Sequence, residues 1–255
     1  MRDRSRSHTC YTSNRMSPSR PRSSDTLIFA PTHNERVTIE PLLDALLGLA
    51  EHCDVLIVDD GSADGTSEVL MARAAAEPRL RVIARPAKLG IGSAHKLAWS
   101  HARAHGYTRF VTLDADLSHD PSDVSRLLAL LDQGADVALG SRFVPGGGLA
   151  YRGGRLILSR GGNLAARWLL RLSITEYTTS LRAARLDRVP SGLVETIPSD
   201  GYAFFLSCAV RFVRQGLRVE ELPIFFHDRH GGISKISRGE IFRAIGTLLR
   251  LAILR

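Results

Sequence analysis

The stretch "RFVTLDADLSHDP", residues 109–121, decides how the chain is read. It begins as an apolar run and stops in Asp114, Asp116 and Asp120, set around Ser118 and His119. A short apolar run that ends at a breaker reads as a strand covered on both faces. Side chains two apart in extended chain point the same way, so Asp114 and Asp116 are expected to project together from the strand's carboxyl end. Either these acids are a solvated loop or they hold something positive. A D-x-D match arises by chance in about half of chains of this length, so the neighbouring strand ends carry the decision.

Working outward, "TLIFA" (26–30), "DVLIVDDGS" (54–62), "LRVIAR" (80–85) and "ADVALGSRF" (135–143) read as further strands. Helical patterns alternate with them at 37–51, 64–76, 92–106 and 121–134, the last two closed by Gly106 and Gly134. Strand and helix in strict alternation imply a mostly parallel sheet with helices on both faces, an α/β fold. Such sheets bind ligands beyond the carboxyl ends of their strands. Polar residues collect at those ends: Asp59 and Asp60, Arg85 and Lys88, Asp114 and Asp116, Ser141 and Arg142. Beyond residue 143 the spacing predicts a helix around a Gly-Gly interruption (155–172), an apolar helix (201–216), a strand (217–226), a basic loop (227–240) and a last helix (241–255).

The bulk numbers fit one α/β domain with short tails. The chain has 255 residues, 44% apolar and 24% charged, with a formal net charge of +8. Basic excess suggests an anionic partner, whether nucleic acid, an acidic membrane surface or a phosphorylated small molecule. Cys10, Cys53 and Cys208 are scattered and form no CxxC pair, so a reducing, cytoplasmic setting without disulfides is expected. No run reaches the roughly 18 to 20 apolar residues of a membrane span, and no secretory signal is expected. Residues 1–25, rich in Ser and Arg, are expected to be a disordered basic tail; an organellar transit peptide has a similar composition.

Paired carboxylates at a sheet's ligand edge suit a hard divalent cation with positions left for diphosphate oxygens. Mg²⁺ and Mn²⁺ favour such oxygen donors. The glycine fingerprint of a dinucleotide fold is missing after the first strand, which ends in "APTHNER". "VDDGSADGT" instead places carboxylates where a nucleotide's base or ribose is hydrogen-bonded.

At this point "PTHNE", "VDDGSADGT", "RPAKLGIGSA", "LDADLSHDP", "GSRFVPGGG", "RGGRLILSRGGN" and "DRHGGISK" share order and spacing with one family. The chain resembles the dolichyl- or polyprenyl-phosphate mannose synthases, inverting GT-A glycosyltransferases of family two, over about residues 26–240. The resemblance implies a GT-A, Rossmann-like domain over 26–240 and a metal-dependent transfer of mannose from GDP-mannose to a polyprenyl phosphate. It implies that Pro31, Glu35, Asp59, Asp60 and Lys88 serve the donor nucleotide, and that Asp114 and Asp116 hold Mg²⁺ or Mn²⁺ and the donor diphosphate. Arg229 and Lys235 would close over the donor phosphates, and Arg142, Arg155, Ser159 and Arg160 would receive the lipid phosphate. Asp116, Arg142 and Arg229 are the expected catalytic residues. The partners implied are a nucleotide sugar, a lipid phosphate, the inner face of a membrane and a membrane-anchoring protein. Three positions depart from the family pattern: His33 stands for Tyr, Ser118 for Gln, and "EYTTSLR" (176–182) puts Ser180 and Leu181 where Gly and Phe are usual.

Other features have plainer readings. His101 and His105 lie four apart on one helix face, a zinc spacing, but nothing nearby supplies a third ligand, so exposed histidines are expected. Phe204 and Phe205 read as core. The last helix, with Arg243, Arg250 and Arg255 among aliphatic residues, reads as a core helix or as an amphipathic one lying in lipid headgroups. Competing functions are the same fold with another donor, such as UDP-glucose, or with another acceptor, and, in a second class, a non-catalytic nucleic-acid binder. The second lacks helix-turn-helix, RNP and zinc-finger patterns, and acids at the ligand edge would repel a phosphate backbone.

Overall fold

The computed structural model describes residues 15–16, 21–150, 154–228 and 238–253. In chain order the strands are β1 (Arg15–Met16), β2 (Thr26–Thr32), β3 (Asp54–Asp59), β4 (Leu80–Ala84), β5 (Arg109–Thr112), β6 (Val137–Ser141), β7 (Gly148–Leu149), β8 (Arg182–Arg185), β9 (Val219–Pro223) and β10 (Phe225–Phe226). The helices are α1 (Ile39–Leu47), α2 (Thr66–Ala76), α3 (Ile91–Ala104), α4 (Asp123–Asp132), α5 (Gly154–Leu170), α6 (Ala203–Arg214) and α7 (Arg238–Ile253).

Eight strands form one sheet in the order β1-β4-β3-β2-β5-β8-β6-β9, and β7 and β10 make a small parallel pair beside it. β4, β3, β2 and β5 run parallel, as do β6 and β9; β8 is antiparallel to both β5 and β6. Successive residues of β2 explain the absent polar alternation. Leu27 and Phe29 enter one apolar layer with Trp99, Phe110, Phe204 and Phe205, whereas Ile28 and Ala30 enter the opposite layer with Leu42, Leu43 and Leu127. Both faces are covered, so both sets of side chains are apolar.

Four expectations change. β8 falls in a segment where no element was expected. α5 runs unbroken through Gly161 and Gly162; each glycine costs helix stability but does not end a helix whose other face is packed. α7 starts at Arg238, three residues earlier than expected, and its Leu248, Leu251 and Ala252 pack on the core. The tail expected to be disordered over 1–25 is not without structure where it is described: Arg15–Met16 pair with β4, the outermost of the parallel strands, and Ser23 N–H donates to Asp54 at 3.0 Å. An edge strand offers a free ladder to any extended segment. No helix among the described residues is long and apolar enough to cross a membrane.

Candidate active site

Chain order reverses across β2, with β3 on one side and β5 on the other, and this is where a crevice opens in a parallel sheet. A cavity of about 250 Å³ lies there. Pro31, His33 and Glu35 enter it from β2 and the turn after it, Asp60 from the end of β3, and Lys88 from the loop after β4. Asp114 and Asp116 enter it from the turn after β5, and Tyr202 and Glu240 close the far wall. Six expected donor-side residues (Pro31, Glu35, Asp60, Lys88, Asp114, Asp116) thus share one space.

Asp59 does not join them. Its carboxylate is fully buried and accepts hydrogen bonds from the Ser62 N–H at 3.3 Å and from the Ser67 hydroxyl, fastening the turn into α2. Asp60 is the carboxylate of this strand end that faces the cavity. It pairs with Arg85, whose Nη1 also donates to Ser93 Oγ at 2.8 Å. Burial holds the Asp60 carboxyl above its ordinary range even though Arg85 pulls it down. The loop returning from Arg85 passes Gly90 at φ +96°, where a Cβ would meet the Asp200 carbonyl oxygen at 2.6 Å, so the close approach admits glycine alone.

The two acids of the opening motif reach the cavity by another route than strand alternation. β5 ends at Thr112, and Asp116 sits in a turn whose next residue, Leu117, has φ +57°. The Ser118 N–H donates to Asp116 Oδ1 at 3.0 Å, an Asx turn that fixes this nearly buried carboxylate. Asp114 lies 3.6 Å from His119 Nε2. Among the described residues no group of three or more His, Cys, Asp and Glu side chains gathers into a cation site. An ion held by Asp114 and Asp116 would need further ligands, which diphosphate oxygens and water could supply, as they usually do for Mg²⁺. An oxygen-only pair therefore fits Mg²⁺ or Mn²⁺.

Arg142 follows β6 directly. Its guanidinium forks onto Glu176, Nε to Oε2 at 2.8 Å and Nη2 to Oε1 at 2.9 Å. Burial pushes the fully buried Glu176 carboxyl up, but Arg142 and donors from Thr178 outweigh it and leave it below its ordinary value. Glu221 on β9 accepts the Thr175 and Glu176 N–H groups, each at 2.8 Å, and so holds the segment that carries Glu176. Asn163 on α5 donates to Thr178 Oγ1 at 3.3 Å and accepts from Tyr177 N at 2.9 Å, tying α5 to the same segment. Ser159, whose carbonyl accepts from Asn163, is half-buried and Arg160 is exposed on that helix. Phe226 joins the acidic and basic halves: the His119 ring meets it edge-on at 4.9 Å and the Arg142 guanidinium lies 5.3 Å from its centre.

The side chain of Arg155, and all of Arg229 and Lys235, lie outside the described residues. Sequence reasoning missed Tyr202, Glu240, Asn163 and Glu221. Asn163 stood inside a quoted motif, but nothing in the local pattern marked Glu240, which reaches the cavity from the first turn of α7 and accepts the Tyr202 N–H at 2.9 Å. His101 and His105 stack at 3.9 Å, and no third ligand joins them among the described residues. Phe204 and Phe205 are core, as expected. His101 is only half-exposed, and burial pushes its imidazole down to about 4.

The sequence profile of Glycosyl transferase family 2 matches residues 27–187. Polyprenol monophosphomannose synthase of Mycolicibacterium smegmatis is 37% identical over 222 residues, covering 86% of this chain and 84% of the relative. Undecaprenyl-phosphate mannosyltransferase of Micrococcus luteus is 36% identical over 225 residues, covering 88% and 92%. Among solved structures, glucosyl-3-phosphoglycerate synthase from Mycobacterium tuberculosis, crystallised with Mn²⁺, UDP and glucosyl-3-phosphoglycerate, has the same fold, with a TM-score of 0.66 and 21% identity over 90% of this chain and 80% of that one. The sheet order and this likeness give the GT-A, Rossmann-like fold that the motifs implied. The chain belongs to glycosyl transferase family 2 and is a glycosyltransferase.

Proposed function

We propose that this enzyme moves mannose from GDP-mannose to a polyprenyl phosphate, inverting the anomeric carbon, at the inner face of a membrane. One observation carries the reading: a carboxylate-lined cavity and a buried arginine fork meet across a single ring, Phe226. The names of the two bacterial relatives supply the sugar and the lipid class.

Asp60, Glu35 and Pro31 would meet the base and ribose, and Lys88 the donor's charge. Asp114 and Asp116 would hold a divalent ion, which supplies charge neutralisation at the departing diphosphate. The acceptor is a phosphate monoester with a second pKa of about 6, already largely dianionic near neutrality, so no strong base is required. A phosphate oxygen forms the new bond to the anomeric carbon as the bond to the diphosphate breaks, and its electron pair leaves with GDP. Arg142, fixed by Glu176, would place the acceptor phosphate, with Arg155, Ser159 and Arg160 of α5 beside it and Arg229 and Lys235 over the donor. A guanidinium held rigid by a carboxylate loses little entropy in doing so.

The lipid's chain lies in a bilayer, and the fold offers a face for that surface. Phe242, Ile245, Leu249 and Ile253 form one exposed stripe on α7, and Leu164 and Trp168 are exposed on α5, which packs against it. Arg160, Arg167 and Arg250 are exposed on the same two helices, the composition of a helix pair lying in anionic headgroups.

Steady-state kinetics on two variants test the division of labour. Asp116→Asn is expected to abolish turnover at every metal concentration with an unchanged fold. Arg142→Ala is expected to raise the KM for lipid phosphate far more than that for donor. Full activity in the first, or equal loss of both substrates in the second, contradicts the reading.

A further inference from the structure

His119 sits between the cavity-facing Asp114 and a residue at which this chain departs from the pattern it resembles. Its ring is buried; Nε2 lies 3.1 Å from Ser180 Oγ and 3.6 Å from Asp114 Oδ2. The first distance is a hydrogen bond and the second lies just outside one. A bare nitrogen at Nε2 would turn its lone pair on the carboxylate, so the arrangement favours the tautomer with the proton on Nε2. Nδ1 has no hydrogen-bond partner among the described residues. Ser180 is itself fixed, because the Thr112 hydroxyl at the end of β5 donates to its carbonyl oxygen. The Phe226 ring packs edge-on against the imidazole at 87°, which limits its rotation.

We propose that His119 is a positioning residue for Asp114, and that Ser180 competes with Asp114 for its Nε2–H. The imidazole faces Oδ2 at 3.6 Å and, by electrostatic attraction across that gap, aims the carboxylate into the cavity. The inference rests on Asp114 as an ion- and diphosphate-binding group. Hydrogen-bond donors behind a metal ligand fix its direction, and their loss typically costs about 10- to 100-fold in metal affinity. With glycine at position 180, the whole N–H would fall to the acid; serine takes a share of it.

The test is Mn²⁺ binding, read from the free-ion electron paramagnetic resonance signal during titration, with GDP present and in parallel with UDP. His119→Phe is expected to weaken Mn²⁺ binding by about 10- to 100-fold. It should raise the Mn²⁺ concentration for half-maximal rate while sparing kcat at saturating Mn²⁺. His119→Gln, whose amide N–H reaches a similar position, should restore most of the affinity. Ser180→Ala should bind Mn²⁺ at least as tightly as wild type. Thermal melts accompany each variant, and His119→Met replaces the Phe variant if that one does not fold. Wild-type affinity in the apolar variant overturns the proposal. So does equal loss in the apolar and Gln variants, which would make the site one of packing alone. A wild-type protein that binds Mn²⁺ with neither nucleotide would remove the reading of Asp114 and this inference with it.

Discussion

Asp59 and Asp60 adjoin in sequence and do opposite work: one fastens a turn, the other faces the cavity. A sequence shows two acids at a strand end but not which one the turn after it consumes; that depended on Ser62 and Ser67. Arg142 carries the same lesson, since its partner Glu176 lies 34 positions away. Glu176→Ala would leave a buried guanidinium without its carboxylate, and about 3 to 5 kcal/mol of stability should go with it. Its pH dependence has a definite sign. The folded-state value lies below the ordinary one of 4.5, so the stabilisation is present above 4.5 and is lost as pH falls through the lower folded value. Chemical denaturation of wild type and of Glu176→Gln across that acid range checks this; identical slopes would show that the pair contributes nothing there.

Elements were legible where apolar runs met breakers, as in β2 to β6, and illegible where burial needed no apolar pattern. β8 reads "RAAR" (182–185). It is buried because small residues fit between β5 and β6, and because Arg182 donates to the carbonyls of Thr179, Tyr177 and Phe205 at 2.8 to 3.2 Å. In α5, a Cβ at Gly162 would meet nothing within 4 Å. Gly162→Ala should therefore stabilise the fold by about 0.5 to 1 kcal/mol; a lower melting temperature would mean that the helix is held otherwise. His95 on α3 is ringed by Phe29, Phe204 and Phe205, and burial pushes its imidazole down to about 3 from 6.5. Between those values the unfolded chain binds the extra proton, so stability falls as pH drops below 6.5, by about 1.4 kcal/mol per unit. His95→Leu should flatten that slope, and an unchanged slope would assign the acid sensitivity elsewhere.

At the scale of the molecule, the alternation of strand and helix makes the ligand edge visible in the sequence, because the strands that run parallel all end on one side. The joining of acidic and basic halves was not visible, since Phe226, His119 and Arg142 meet only through folding. The exposed stripe on α7 was foreshadowed by its arginines; its continuation onto Leu164 and Trp168 required the packing of α5 against α7. One reaction gathers these features, and one measurement tests it most directly. The purified protein, with Mg²⁺ or Mn²⁺ and a short polyprenyl phosphate, is offered GDP-mannose, UDP-glucose, UDP-galactose and UDP-N-acetylglucosamine in turn, and the lipid is weighed by mass spectrometry. A single hexose added to the lipid from GDP-mannose alone is the expected result. An adduct only from a UDP-sugar would contradict the mannose assignment, keep the metal and lipid sites, and direct attention to His33 and Ser180; no adduct from any donor would contradict the lipid acceptor itself.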